Sequence, residues 1–440
     1  MTDPITAAID QATLIITEAM LAAVDVVPRE LDAEVESHIR RVGLGVCKAF
    51  IEARSARLVE EGKAKGLVTQ RRPKVTFYTV FGPILVESPY MWCAVDQFGW
   101  RPLREEFGVA DRARSRRLDR ALVDFGSERS FAKAAVGFEE HYGWELGRTT
   151  IRSATRKEAE RAEQFIDSLL AEFARLYDKP LARRPGREHL VAELDGCLIR
   201  TGKLMTARRA LREGVPPEKL VRQESWREVR TAFARGLDEV DATYVCRIGS
   251  YDEVTEQMFG AACRHGLTER TTVIAPSDGA FGLREALEER FSSLHFVLDY
   301  SHLKGHVYET ADEMKLSPGI RERWIQTVLD DIWGGDAADV IQRLTESYHH
   351  SGNQRLRRLI EYLERFADSV SYQQLVDRGW PIGSGEVESA HRYIPQARLK
   401  IPGACWRAES INPMLALRLL KANGWWKQYW LEDKDRLDAA

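Results

Sequence analysis

HLVAELDG, residues 189–196, reads as an apolar strand that closes on a carboxylate, Asp195, before Gly196. Two later segments repeat the pattern: TTVIAPSDGA (271–280) closes on Asp278-Gly279, and LHFVLD (294–299) closes on Asp299. Between them lie two more strand candidates, SWREVRTAFA (225–234) and ATYVCRI (242–248), a helix over Val254–His265 and another over Phe281–Arg290. The order three strands, helix, strand, helix, strand predicts an α/β domain. Open sheets place ligand sites beyond the carboxyl ends of their strands, so the three acids are candidates for one site. A single Asp-Gly after a strand is an ordinary turn pair; three acid-tipped strands in one domain carry more weight.

Carboxylates brought together repel one another and are costly to keep charged unless a cation sits between them. Mg²⁺ prefers oxygen ligands, and two such ions stabilise the attacking and leaving oxygens of a phosphoryl transfer. A further acid source lies at Gly379–Trp406, GWPIGSGEVESAHRYIPQARLKIPGACW. Turn residues open it, a short helix candidate carries Glu386 and Glu388, and from 391 to 408 it holds Arg392, Arg398, Lys400 and Arg407 with no acid. In a helix Glu386 points about 200° away from Glu388, so one metal site takes only one of them. An acidic helix start beside a cationic run suits a metal ion held near a phosphate backbone.

Upstream, residues 4–65 carry apolar residues at three- and four-residue steps, with a break expected near Pro28. Between 73 and 92 the pattern alternates around Phe81-Gly82-Pro83, a β-hairpin signal. Arg101–Arg120 reads as an Arg-rich helix with a solvated face. Ser130–Lys157 reads as two helices around Gly143, a helix-turn-helix whose second helix presents Arg148, Thr149, Arg152, Ser153 and Arg156 opposite Ile151 and Ala154. Asp178–Glu188, with two prolines and four basic residues, reads as a linker and a domain boundary. Residues 200–230 hold nine Lys/Arg against four Glu, a patch suited to a nucleic-acid backbone or simply to solvated loops. Leu303 to about Tyr372 is helical throughout, and Trp425, Trp426 and Trp430 read as packing.

The totals exclude little. The chain has 440 residues, 64 Lys+Arg against 67 Asp+Glu and a formal charge of −3, so any nucleic-acid case rests on local patches. Six scattered cysteines without a C-x-x-C pair suggest reduced thiols. Asp3 and Asp10 stand where a signal peptide would be positive, and no long apolar run occurs. A cytoplasmic bacterial protein with no membrane partner is expected.

SDGAFGLREAL and WPIGSGEVES, with Asp299-x-x-His302 between them and RLK after them, resemble DDE transposases of bacterial insertion sequences. The likeness is to the ISKra-type group, related to Mutator-like transposases, and covers about residues 73–430. It implies a multi-domain protein, mainly α with α/β. An RNase H-like catalytic core, a mixed sheet with flanking helices, would be interrupted by an all-helical insertion and preceded by a helical DNA-binding region. Implied boundaries are 1–70 helical, 71–125 hairpin and Arg-rich helix, 126–180 helix-turn-helix, 187–302 first core part, 303–375 insertion and 376–440 second core part.

Carried over by position, the catalytic and metal-holding acids would be Asp195, Asp278 and Glu388, separated by 278 − 195 = 83 and 388 − 278 = 110 residues. The family's spacing after GSG selects Glu388 over Glu386, and its SDG motif selects Asp278 over Asp299. Asp299 and His302 would support the carboxylates or touch DNA. Arg148, Thr149, Arg152, Arg156, Arg392, Arg398 and Lys400 would bind DNA, namely terminal inverted repeats and a target duplex. Mg²⁺ or Mn²⁺ would be the cofactor, and pairing two ends implies a homodimer or higher oligomer. Rival readings are a catalytically silent DNA-binding regulator and a metal-dependent nuclease that cuts without joining.

Overall fold

The computed structural model describes residues 4–22, 31–178, 186–204, 212–214 and 222–431. The expected break near Pro28, most of the linker and much of the 200–230 basic segment lie outside the described residues. Two compact units divide the chain, Met1–Thr155 and Arg156–Ala440. That division falls inside a continuous helix, Arg148–Ala174, rather than at Asp178–Glu188.

In the first unit, α1 (Pro4–Ala22) and α2 (Leu31–Ala64) precede five short strands. β1 (Val68–Arg71), β4 (Tyr90–Cys93) and β5 (Phe98–Trp100) form one small antiparallel sheet that the alternation had not suggested. β2 (Lys74–Thr79) and β3 (Gly82–Glu87) form the expected hairpin. Val75 lies opposite Val86 and Phe77 opposite Ile84, so one face turns all four inward onto Leu58, Leu103 and Val109. The Arg-rich stretch is two helices, not one. α3 (Pro102–Phe107) stops at Gly108, whose φ of 62° is left-handed, and α4 (Arg116–Glu128) starts afresh on a Ser115 cap.

α5 (Phe131–Tyr142) starts on a Ser130 cap that accepts from the Lys133 N–H and ends at Gly143, φ 64°. α6 (Arg148–Ala174) follows. Ile151 and Ala154 join Leu118, Leu122 and Phe138 in the core, which leaves Arg148, Thr149 and Arg152 exposed on the opposite face. Arg156, one turn on, is exposed too.

The second unit is built on a five-stranded mixed sheet flanked by helices. Its strands are β6 (His189–Leu204), β7 (Arg222–Gly236), β8 (Thr243–Arg247), β9 (Thr272–Ser277) and β10 (Leu294–Leu298), in the order β10-β9-β6-β7-β8. β7 is antiparallel to β6 and to β8, whereas β9 and β10 run parallel to β6. The parallel strands need crossovers, supplied by α7 (Tyr251–Arg264) and α8 (Leu283–Arg290). Ser250 and Glu253 form a capping box that fixes the start of α7.

One expectation is corrected here: Asp195 does not end its strand. β6 runs nine residues further, because Cys197, Ile199 and Thr201 keep the inward alternation and pair along β7 as far as Leu204 opposite Arg222. Beyond β10 the chain is helical, as expected: α9 (Tyr300–Glu313), α10 (Pro318–Gly334), α11 (Ala337–Ser351), α12 (Gln354–Phe366) and α13 (Tyr372–Asp377). α14 (Gly385–His391) then returns to the sheet, continues through a π-helical turn over Arg392–Gln396 into α15 (Ala397–Leu399), and α16 (Ile411–Ala422) closes the unit. Val387 of α14 packs on Val191 and Phe233 of the sheet. Each such side chain contributes on the order of 1.5–3 kcal/mol on burial. Trp425 and Trp430 are buried, against Phe173 and Tyr429 respectively, which is the packing role expected.

Among the described residues no helix is long and apolar enough to cross a membrane.

Candidate active site

Strand order brings the acids to neighbouring strands. β9 pairs with β6 from His189 opposite Thr272 to Val191 opposite Ile274, and Asp195 follows on β6 four residues later. β10 pairs with β9 up to Leu298 opposite Ser277, so Asp278 and Asp299 both follow directly on the last pair. Gly279, with φ 75°, turns the chain immediately after Asp278, and an added Cβ there would meet the Phe366 ring at 2.8 Å. The Tyr362 hydroxyl donates to the Asp278 carbonyl at 2.8 Å and fixes the same corner.

The fourth acid arrives on α14, which lies over the β6 face bearing Val191, Glu193 and Asp195. The charges of Asp278 and Glu388 act on Asp195. Burial first, then the charges of Asp278 and Glu388, push the Asp195 carboxyl up to about 6, against the Gly196 N–H (2.6 Å) and His302, which favour the charged form. His302 is held above its ordinary value by its hydrogen bond to Asp299, helped by Asp299, Asp278 and Glu388 as anions. Glu388 is exposed, Asp195 and Asp278 are half-buried, and the His302 side chain is 42% exposed, so the group opens to solvent on one side.

Asp299 plays a different part. It is 2% exposed and caps α9, accepting from the His302 N–H at 2.8 Å; its other oxygen accepts from the Ser384 N–H at 2.6 Å and the Ser384 hydroxyl at 2.8 Å. Burial works to raise this carboxyl, but the hydrogen bonds from His302 and Ser384 outweigh it and hold Asp299 well below the ordinary carboxylate range. A carboxylate so fully engaged anchors the Gly383-Ser384-Gly385 turn to the end of β10 rather than facing a ligand.

Three residues that the sequence reading passed over complete the frame. Glu193, 1% exposed, accepts from the Val387 N–H at 2.9 Å, and burial pushes its carboxyl up to about 8. Arg235 of β7 holds Glu386 through two hydrogen bonds, its Nε at 2.9 Å, which ties Glu386 to the end of β7, while the charge of Glu388 acts on Asp195. His391, 4% exposed, spans Asp195 with Nδ1 3.4 Å from the carboxylate and Nε2 3.2 Å from the carbonyl oxygen. Burial lowers its pKa, so the neutral ring donates through one nitrogen only. The signals were available: Glu193 precedes Asp195 by two in an alternating strand, and His391 follows Glu388 by three on a helix.

Of the basic run, Arg392, Lys400 and Arg407 are exposed, and the Lys400 charge reaches Cys197 and His391 beside Asp195. Arg398 departs from the expected role: it is 2% exposed with its guanidinium 4.8 Å from the Trp406 ring, so it supports the fold rather than a surface for DNA. The Trp406 segment is itself tied to β6, donating from Trp406 N–H to the Arg200 carbonyl and accepting from the Gly202 N–H.

Among the described residues no group of three or more His, Cys, Asp or Glu is placed so that it could hold a metal ion. In donor chemistry, Asp195, Asp278 and Glu388 offer only oxygens, the ligand type a hard divalent cation prefers. A scan of protein-family models and a search of curated proteins find no match to this chain.

Proposed function

We propose that this chain is a DDE-type transposase that cuts DNA at the ends of an insertion sequence and joins them to a target. The observation that carries the reading is the approach of three acids 83 and 110 residues apart in the chain: Asp278, directly after β9, and Glu388, on α14, both act on the half-buried Asp195 of β6. The mixed sheet, three antiparallel strands followed by two parallel ones, supports an RNase H-like core, and the helices of 303–375 support an insertion before the glutamate helix.

Asp195, Asp278 and Glu388 would hold Mg²⁺ or Mn²⁺, which supplies the positive charge that in-line displacement at phosphorus needs at its attacking and leaving oxygens. The chain's own residues do the positioning. His391 fixes the Asp195 rotamer, Glu193 and Asp299 fix the height of α14 and so of Glu388, and Arg235 keeps Glu386 out of the group. His302, whose charged form is favoured by its hydrogen bond to Asp299, lies at the open side, where it can donate to a phosphate oxygen. Arg392 and Lys400 give the DNA backbone cations to rest on, a salt-dependent and sequence-independent attraction. The exposed Arg148, Thr149, Arg152 and Arg156 face of α6 would read the element ends.

The test is cleavage and joining of end-sequence DNA with Mg²⁺ or Mn²⁺. Asp195→Ala, Asp278→Ala and Glu388→Ala should each lower the cleavage rate by on the order of 10²–10⁴, the loss of several kcal/mol of charge stabilisation. Glu386→Gln should stay within a few-fold. Variants of Asp278 and Glu388 that cut like the parent would sink the assignment, and cutting without joining would make the protein a nuclease.

A further inference from the structure

Among the described residues, the 34-residue helix α2 packs on its surroundings along one side. Leu44, Cys47, Ile51 and Leu58 pack on the β2–β3 hairpin. The opposite side presents Ile39, Val42, Val46 and Phe50, which are 54%, 44%, 62% and 63% exposed. Val35, Ile39, Val42, Val46, Ala49 and Ala53 advance by alternating steps of four and three, the spacing that keeps a stripe facing a second helix, and Phe50 flanks them. Gly45 lies beside the stripe, and a Cβ there would meet nothing within 4 Å. An exposed mid-helix glycine costs about 1 kcal/mol relative to alanine, a cost that close approach of another backbone would offset.

From these features we infer that the outer stripe of α2 is the seat of a second copy of this chain, paired antiparallel to the first. The stripe is self-complementary in that direction alone. Setting Val42 against Val46 of the other copy puts Ile39 against Ala49 and Val35 against Ala53, a large side chain on a small one at both outer steps, and sets Gly45 level with Gly43 of the other copy. A parallel pair would set Ile39 on Ile39 and Ala53 on Ala53, and the gap would widen along the helix. The antiparallel register also lays the acidic start of α2 (Asp32, Glu34, Glu36) alongside the other copy's Arg54 and Arg57. Arg57 and Asp32 are exposed. Leu14, Ile15 and Leu21 of α1 are likewise exposed, at 57%, 59% and 64%. The inference stands on α2 alone and is independent of the chemistry at Asp195.

Sedimentation velocity of the full chain over the micromolar range tests it. The parent should sediment at twice the chain mass, and Val42→Asp with Val46→Asp should sediment as a monomer with an unchanged unfolding temperature. Val240→Asp, at a position 96% exposed in the other unit, should leave the dimer intact. Arg57→Glu should weaken the dimer about tenfold, since the symmetric contact counts twice, and adding Asp32→Arg should restore it. A monomeric parent, as would follow if α1 folded over the stripe, overturns the proposal, and so does a double Asp variant that stays dimeric. Failure of the charge pair to restore the dimer overturns the antiparallel register even if the double Asp variant is unfolded.

Discussion

Asp195 and Glu193 sit two residues apart on one face of β6, and burial raises both carboxyls, but their surroundings differ. Asp195 opens to the solvent side with Asp278 and Glu388 as neighbours, so a cation can relieve it. Glu193 is sealed under α14 with one hydrogen-bond donor, the Val387 N–H, so only a proton can. Its carboxyl rises from 4.5 to about 8 on folding. A raised folded-state value means that the stabilising share is complete below about pH 4.5 and is lost as pH climbs through about 8. Without divalent cations, denaturant unfolding of the parent should therefore weaken between pH 5 and 8 by on the order of a few kcal/mol relative to Glu193→Gln. Parallel pH profiles for the two proteins would show that the carboxyl is not titrating there. Residue types alone could not separate these acids: both belong to the ELD triplet, and only the helix laid across the strand distinguishes the sealed one from the open one.

α14 has seven residues, too few to be stable by its own hydrogen bonds. Its position comes from contacts at both ends: Asp299 grips Ser384 just before it, Glu193 takes the Val387 N–H within it, and His391 closes it onto Asp195. Asp299→Ala would leave the buried Ser384 donors unanswered, at a cost of roughly 3 kcal/mol, and would free the turn that sets the height of Glu388. Chemical denaturation should show that loss, with Asp299→Asn recovering part of it, since an amide oxygen still accepts. Equal stability of parent and Ala variant would remove Asp299 from the frame. At this scale the sequence was legible where period and caps speak: the hairpin at 74–87, the α5–α6 pair around Gly143, and the strand–helix order of the sheet. It misled where continuation depends on a partner strand. Asp195-Gly196 looks like a strand end, but pairing with β7 carries β6 through to Leu204.

Across the whole molecule, the legible part was the mixed sheet and its flanking helices, because apolar strands and amphipathic helices announce themselves in one dimension. What could not be read was long-range pairing: Arg235 with Glu386 across 151 residues, Glu193 with Val387 across 194, and the burial of Arg398 against Trp406. Those contacts turn scattered acids into a group with one open side. The most direct test of that group is Mn²⁺ binding, followed by electron paramagnetic resonance on the protein in complex with uncleaved end DNA. Asp195→Asn, Asp278→Asn and Glu388→Gln should each weaken Mn²⁺ uptake by about tenfold or more, while Glu386→Gln, on the far side of α14, should titrate like the parent. Uptake unchanged in the Asp278 and Glu388 variants would contradict a shared metal site.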